Sequence, residues 1–151
     1  MGLILLRHAE AEAGEPDAER PLTTKGKKQA ATMGKWLDRH LPQNCRIICS
    51  PTRRTVQTAD ALGRKYTVSD KLSPSATAGQ IIDESKWPAG SRCVLIVGHQ
   101  PTLGQTASLI LAGVQQDWTI RKGNVLWIAQ KDTENARPFL RAVLAPDLVG
   151  K

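Results

Sequence analysis

The chain is predicted to fold as α/β, a single-domain three-layer sandwich with a mostly parallel central sheet. Three observations predict this. Its 151 residues, 40% hydrophobic and 23% charged, suit one compact globular domain with one core. Leu3–Leu6 and Cys93–Val97 are continuous apolar runs, the pattern of strands buried on both faces. Between such runs lie stretches with apolar residues at helical spacing, and strand–helix alternation marks a parallel sheet covered by helices. With no internal repeat and no low-complexity tract, residues 1–151 are expected to form that one domain.

The elements follow in order. Leu3–Leu6 is the first strand. Thr23 or Thr24 caps a helix running to about Arg39, with Ala30, Met33, Leu37 and Leu41 on its apolar face. Arg46–Cys49 is the second strand, and Ser50-Pro51 reads as N-cap and first residue of a helix that buries Val56, Ala59 and Leu62. A third strand is expected within Tyr66–Leu72 and a short helix over Ala76–Lys86. After the Cys93–Val97 strand, Pro101 opens a helix through Leu103, Ala107, Ile110 and Leu111. Val125–Ala129 and Phe139–Leu144 close the sheet, separated by a polar turn that includes Asp132–Asn135, with Trp118 and Trp127 expected as core or rim packing.

No apolar run approaches the roughly 20 residues of a membrane span. Arg7-His8 follows the first apolar run so closely that no signal peptide is expected, and a cytoplasmic setting is predicted. Three cysteines, two of them in apolar runs, offer neither an even disulfide framework nor metal spacing, so reduced thiols are expected. The net charge of +7 is spread along the chain, densest at Lys25–Lys28 and Arg53-Arg54. With 4% aromatics and no basic tail, base stacking has little to work with and no specific nucleic-acid partner is expected; an anionic substrate fits. The oligomeric state is not legible.

In open α/β sheets, ligands bind beyond the carboxyl ends of the strands. That rule selects His8 and Arg7 after the first strand, Arg54 at the start of the helix after the second, and His99 after Cys93–Val97. Two imidazoles and two guanidiniums would meet there at helix N-termini, which favour anions. Guanidinium forks bind phosphate oxygens in pairs, and a neutral imidazole is a competent nucleophile toward phosphorus. Two histidines without a third ligand make a poor zinc site, and no carboxylate cluster suited to a divalent ion stands beside them. No metal and no cofactor is expected. The arginines should disfavour the imidazolium of His8 and lower its pKa. His40, near a helix end, and Arg53 read as local or solvent charges.

These residues stand in four stretches: Leu5-Leu6-Arg7-His8-Ala9; Arg20-Pro21-Leu22-Thr23 with Gly26; Ser50-Pro51-Thr52-Arg53-Arg54-Thr55-Val56-Gln57-Thr58; and Val97-Gly98-His99. In that order the chain resembles the histidine phosphatase superfamily, and within it the small SixA-type phosphohistidine phosphatases. The resemblance implies a phosphoglycerate-mutase-like fold and transient phosphorylation of His8. It further implies phosphoryl binding by Arg7 and Arg54, a transition-state contact from His99, and an approach of Arg20 to the pocket. Larger members carry a glutamate after the third strand as general acid; here Lys71 stands where that residue is expected, leaving Glu10, Asp70, Asp83 and Glu84 as candidates. A phosphohistidine leaving group demands less of such an acid, and short SixA-type chains lack the segment that covers larger sites. The expected substrate is therefore protein phosphohistidine, with small phosphate esters or nucleotides as the alternative and a non-catalytic anion- or nucleic-acid-binding module behind both. The expected partner is a phosphorylated protein or small phosphorylated molecule, without a membrane.

Overall fold

The computed structural model describes residues 1–90 and 93–150. Lys151, with which the expected domain ends, lies outside the described residues. The strands are β1 (Gly2–Arg7), β2 (Arg46–Cys49), β3 (Thr67–Val68), β4 (Cys93–Gly98), β5 (Val125–Ala129) and β6 (Phe139–Leu144). The helices are α1 (Thr24–His40), α2 (Arg53–Asp60), α3 (Ala78–Ser85), α4 (Thr102–Ala112) and α5 (Pro146–Val149).

One six-stranded sheet runs in the order β3-β2-β4-β1-β5-β6. The first four of these are mutually parallel, while β5 is antiparallel to both β1 and β6. Alternate side chains of the central strands pack into separate layers, as strand geometry requires. Ile4, Leu6, Leu95 and Val97 meet Met33 and Leu37 of α1 on one face. Leu3, Leu5, Val94 and Ile96 meet Ile81 of α3 with Leu103 and Ala107 of α4 on the other. Each such fully buried aliphatic side chain contributes roughly 1.5–3 kcal/mol. Trp127 is buried in the first layer, edge-on to Trp36 and under the guanidinium of Arg141; Trp118 packs at the border of the second. His40 closes α1, its Nδ1 bonded to the Trp36 carbonyl at 2.7 Å and its ring stacked on that indole.

The elements depart from expectation where side chains have partners elsewhere. Ser50 does not cap α2: its amide continues the ladder to the Val97 carbonyl, and its hydroxyl is taken by His99. Thr52 caps instead, accepting from the Thr55 amide, and the helix begins at Arg53. The third strand is only two residues long, because Ser69 accepts from the Lys71 amide and turns the chain into a 3-10 helix over Asp70–Leu72. The short helix expected over Ala76–Lys86 starts at Ala78, after a capping box of Thr77 and Gln80. Pro101 occupies the cap position rather than the first turn of α4, with the Gln100 side chain accepting from the Gly104 amide. Helix α5 is not among the expected elements, although Pro146 stands at its start and Asp147 in its first turn. All three thiols are free, but the Cys45 and Cys93 sulfurs lie 2.7 Å apart, a proximity their linear spacing conceals. No helix is long and apolar enough to cross a membrane among the described residues.

Candidate active site

Neighbouring strand ends build the site. In the order β2-β4-β1, the three strands finish side by side, with Cys49 beside Val97 and Arg7 beside Gly98. The His8 amide donates to the Gly98 carbonyl at 3.1 Å and the Ser50 amide to the Val97 carbonyl at 3.0 Å, so the ladder extends one residue past each strand. His8, His99, Arg7, Arg54 and Arg20 therefore line one cavity of about 230 Å³, joined by Gln100, Pro74 and Lys122. All five residues selected from the sequence are at this cavity.

The His8 and His99 rings are 5.3 Å apart, centre to centre, and both are buried. His8 Nδ1 stands 2.7 Å from the Ala9 carbonyl oxygen. A carbonyl only accepts, so Nδ1 carries the proton and Nε2 keeps the lone pair of a neutral ring. Burial depresses the His8 pKa to about 4; the Ala9 bond opposes this, and the charges of Arg54, Arg7 and Arg20 add to it. The direction is the one expected, but the principal cause is burial rather than the arginines. His99 is lowered to about 3, again by burial first, then by His8 and Arg54. Its Nε2 bonds the Ser50 hydroxyl at 2.7 Å, while Nδ1 faces Arg54 Nη2 at a long 3.5 Å. Guanidinium donates only, so the Nδ1 of His99 is the unprotonated nitrogen.

Arg7 is anchored by the Ile120 carbonyl through Nη1. Arg54, 4% exposed, donates to Asp17 twice, through Nη1 to its carbonyl oxygen at 2.9 Å and through Nη2 to its carboxylate at 3.1 Å. Nε of both arginines is buried with no hydrogen-bond partner among the described residues. Leaving a buried donor unpaired costs roughly 1–3 kcal/mol, which favours a multi-oxygen anion in this cavity. Arg20 is tied to the same Asp17 carboxylate at 2.9 Å and to the Glu12 carbonyl. Asp17 thus bridges two pocket arginines from an exposed 3-10 turn. Desolvation is the largest single influence and raises its pKa, but the hydrogen bonds and charges of Arg20 and Arg54 together outweigh it and hold the carboxyl below its ordinary range.

None of Glu10, Asp70, Asp83 and Glu84 lines the cavity. Glu10 accepts from the Thr23 hydroxyl, Asp70 and Asp83 are exposed, and Glu84 pairs with Ser69 and Lys71. Lys71, paired with Glu84, does not line the cavity either. Among the described residues, no group of three or more His, Cys, Asp or Glu could hold a metal ion.

Several supporting residues escaped sequence reasoning. On α2, Arg54, Gln57 and Thr58 share a face at i, i+3 and i+4. Gln57 accepts from the Leu22 amide at 2.7 Å and Thr58 from the Ala9 amide at 3.1 Å, so the helix face that brings Arg54 to the cavity also grips the loop. The Arg-x-x-Gln-Thr spacing was the available signal. The bonds of Ser50 to His99 and of Asp17 to Arg54 had none, because those partners lie 49 and 37 residues away.

This architecture matches known proteins. The family model of the histidine phosphatase superfamily, branch 1, matches residues 3–74. A phosphohistidine phosphatase SixA homolog of Haemophilus influenzae is 32% identical over 121 residues, spanning 70% of this chain and 74% of that protein. The chain belongs to the histidine phosphatase superfamily. Phosphohistidine phosphatase SixA of Escherichia coli is 26% identical over 122 residues, 75% of this chain and 76% of its own. The solved structure of the protein histidine phosphatase SixA complexed with tungstate superposes with a TM-score of 0.83 at 21% identity, covering 98% of this chain and 99% of that one. The fold is therefore that of the phosphoglycerate-mutase-like histidine phosphatases, and the activity class is phosphatase.

Proposed function

We propose that this histidine phosphatase removes the phosphoryl group of a protein phosphohistidine, without a metal, through a covalent intermediate on His8. The observation that carries the reading is the 2.7 Å bond from His8 Nδ1 to the Ala9 carbonyl, which leaves Nε2 unprotonated in a cavity walled by guanidiniums. The relatives named above as phosphohistidine phosphatases support the substrate class. So does the absence of a sequence-expected acid from the cavity lining, since an imidazole leaving group needs less proton donation than an alkoxide.

In the first step Nε2 attacks phosphorus and the bond from phosphorus to the leaving nitrogen breaks; the substrate ring, protonated on its other nitrogen, takes the electron pair and departs as neutral imidazole. Arg7 and Arg54 supply the positive charge for the phosphoryl oxygens, the role a divalent cation plays elsewhere. Arg20 stands at the same wall as a further donor. The charge of the bound anion favours uptake of a solvent proton at His99 Nδ1, and the resulting imidazolium donates through it to a phosphoryl oxygen. Because the Ala9 carbonyl retains the Nδ1 proton, the phosphorylated His8 ring is cationic and departs readily when water attacks phosphorus in the second step. Water gives one proton to bulk solvent, and inorganic phosphate leaves.

Brief exposure to a labelled phosphohistidine protein should place an acid-labile, base-stable label on His8, with no turnover in His8→Ala and no loss of activity in EDTA. Full activity in His8→Ala removes the covalent mechanism, and reversible loss in EDTA removes the metal-free claim. A strong preference for phosphate esters in side-by-side turnover assigns the substrate to that class instead.

A further inference from the structure

Beside the catalytic cavity lies a second, larger groove of about 740 Å³ that shares Arg7 and Lys122 with it. Its walls carry Lys25 and Lys28 from the start of α1 and Arg121 from the turn before β5, all exposed. None of Lys25, Lys28, Arg121 and Lys122 forms an ion pair among the described residues. The groove has two carboxylates, Glu10 and Asp147, and Glu10 is engaged with the Thr23 hydroxyl at 2.7 Å.

We propose that this groove docks an acidic segment of the phosphoprotein, next to its phosphorylated side chain. The inference rests on the phosphohistidine reading above. Two observations beyond net charge support it. First, Lys25 and Lys28 sit in the first turns of α1, where the helix dipole already presents positive charge and an acidic residue would be stabilising; no acidic residue is there. They are also neighbours at i, i+3, so they repel each other. A helix end that opposes its own stability in this way suits an anionic partner.

Second, the turn bearing Arg121 and Lys122 is fastened to the catalytic backbone. The Gly123 amide donates to the carbonyls of both Arg7 and His8 at 3.1 Å, and the Arg7 amide donates to the Asn124 carbonyl at 3.2 Å. An acidic segment held by this turn is therefore registered against His8. The catalytic cavity, about 230 Å³, has room for a phosphorylated side chain but not for the segment that carries it, so recognition of the carrier falls to the adjoining surface. Charge complementarity of this kind acts on encounter and affinity, and hence on KM more than on kcat.

Phosphohistidine peptides of one length, flanked by glutamates or by glutamines, test the docking. Wild-type protein should turn over the glutamate-flanked peptide with kcat/KM about ten-fold higher, mainly through KM, and added salt should erode the difference. In Lys25→Glu/Lys28→Glu/Arg121→Glu the preference should vanish or reverse, while turnover of phosphoramidate stays within about two-fold of wild type. The milder Lys25→Gln/Lys28→Gln/Arg121→Gln should lie between, and it carries the test if the reversed variant does not fold. Equal turnover of the two peptides by wild-type protein overturns the docking and leaves the phosphohistidine reading standing. Turnover of neither peptide removes that reading, and the docking with it. Parallel losses on peptide and phosphoramidate would make the groove part of the catalytic site rather than a docking surface.

Discussion

His8 and His99 owe their tautomers to different partners, the Ala9 carbonyl for one and the Arg54 guanidinium for the other, and their neutrality chiefly to burial. With folded pKa values near 4 and 3, both rings are neutral at mildly acidic pH. An NMR titration of the free protein should show the His8 ring titrating near 4; a value at or above the ordinary 6.5 would contradict the geometry. The same shifts make a stability prediction. In the unfolded chain these histidines take up protons near 6.5, so between 6.5 and about 4 the unfolded state binds more protons than the folded one. The thermal midpoint should therefore fall as pH drops through that window, and this contribution should be absent above it. Asp17 is the other decisive residue. It shares the Arg54 fork with whatever anion enters, so Asp17→Asn should tighten competitive inhibition by inorganic phosphate about three- to ten-fold. Weaker inhibition would instead mean that Asp17 chiefly positions Arg54.

Among the elements, α2 and the turn before β5 act as clamps. One face of α2 holds Arg54 in the cavity while Gln57 and Thr58 grip the loop backbone at Leu22 and Ala9. Across the site, Gly123 has a φ of 75°, and a Cβ there would meet Pro146 at 3.0 Å. Gly123→Ala should lower the unfolding free energy in urea by about 1–2 kcal/mol and reduce turnover through the displaced His8 carbonyl. Unchanged stability and rate would show that the turn does not hold that backbone. Gly26 has a different purpose: a Cβ there would collide with the Glu10 carbonyl, so its absence lets α1 lie against the segment following His8. The Thr-x-x-Gly motif was legible as a helix start, with Thr23 accepting from the Gly26 amide, but not as this close packing. Likewise Ser50 looked like a cap because Ser-Pro usually opens a helix; its hydroxyl was instead claimed by a histidine 49 residues away.

Across the whole molecule, patterning in the chain determined a great deal. Continuous apolar runs at Leu3–Leu6 and Cys93–Val97 can only be satisfied with cover on both faces, so the three layers followed from local composition. The rule that ligands bind at carboxyl ends of strands then brought together Arg7, which ends β1, His8 and His99, which follow β1 and β4 directly, and Arg54, in the first turn of the helix after β2. Tertiary structure decided what depends on contacts between distant residues. It brought Asp17 onto Arg54, excluded Glu10, Asp70, Asp83 and Glu84 from the cavity, and set the free Cys45 and Cys93 sulfurs side by side. It also gathered Lys25, Lys28 and Arg121 into one groove beside Arg7. Periodicity reports which face of an element is buried, since that is a property of neighbours along the chain. Which charge meets which is settled only when loops and strands from different parts of the chain are packed together, and nothing local encodes that encounter.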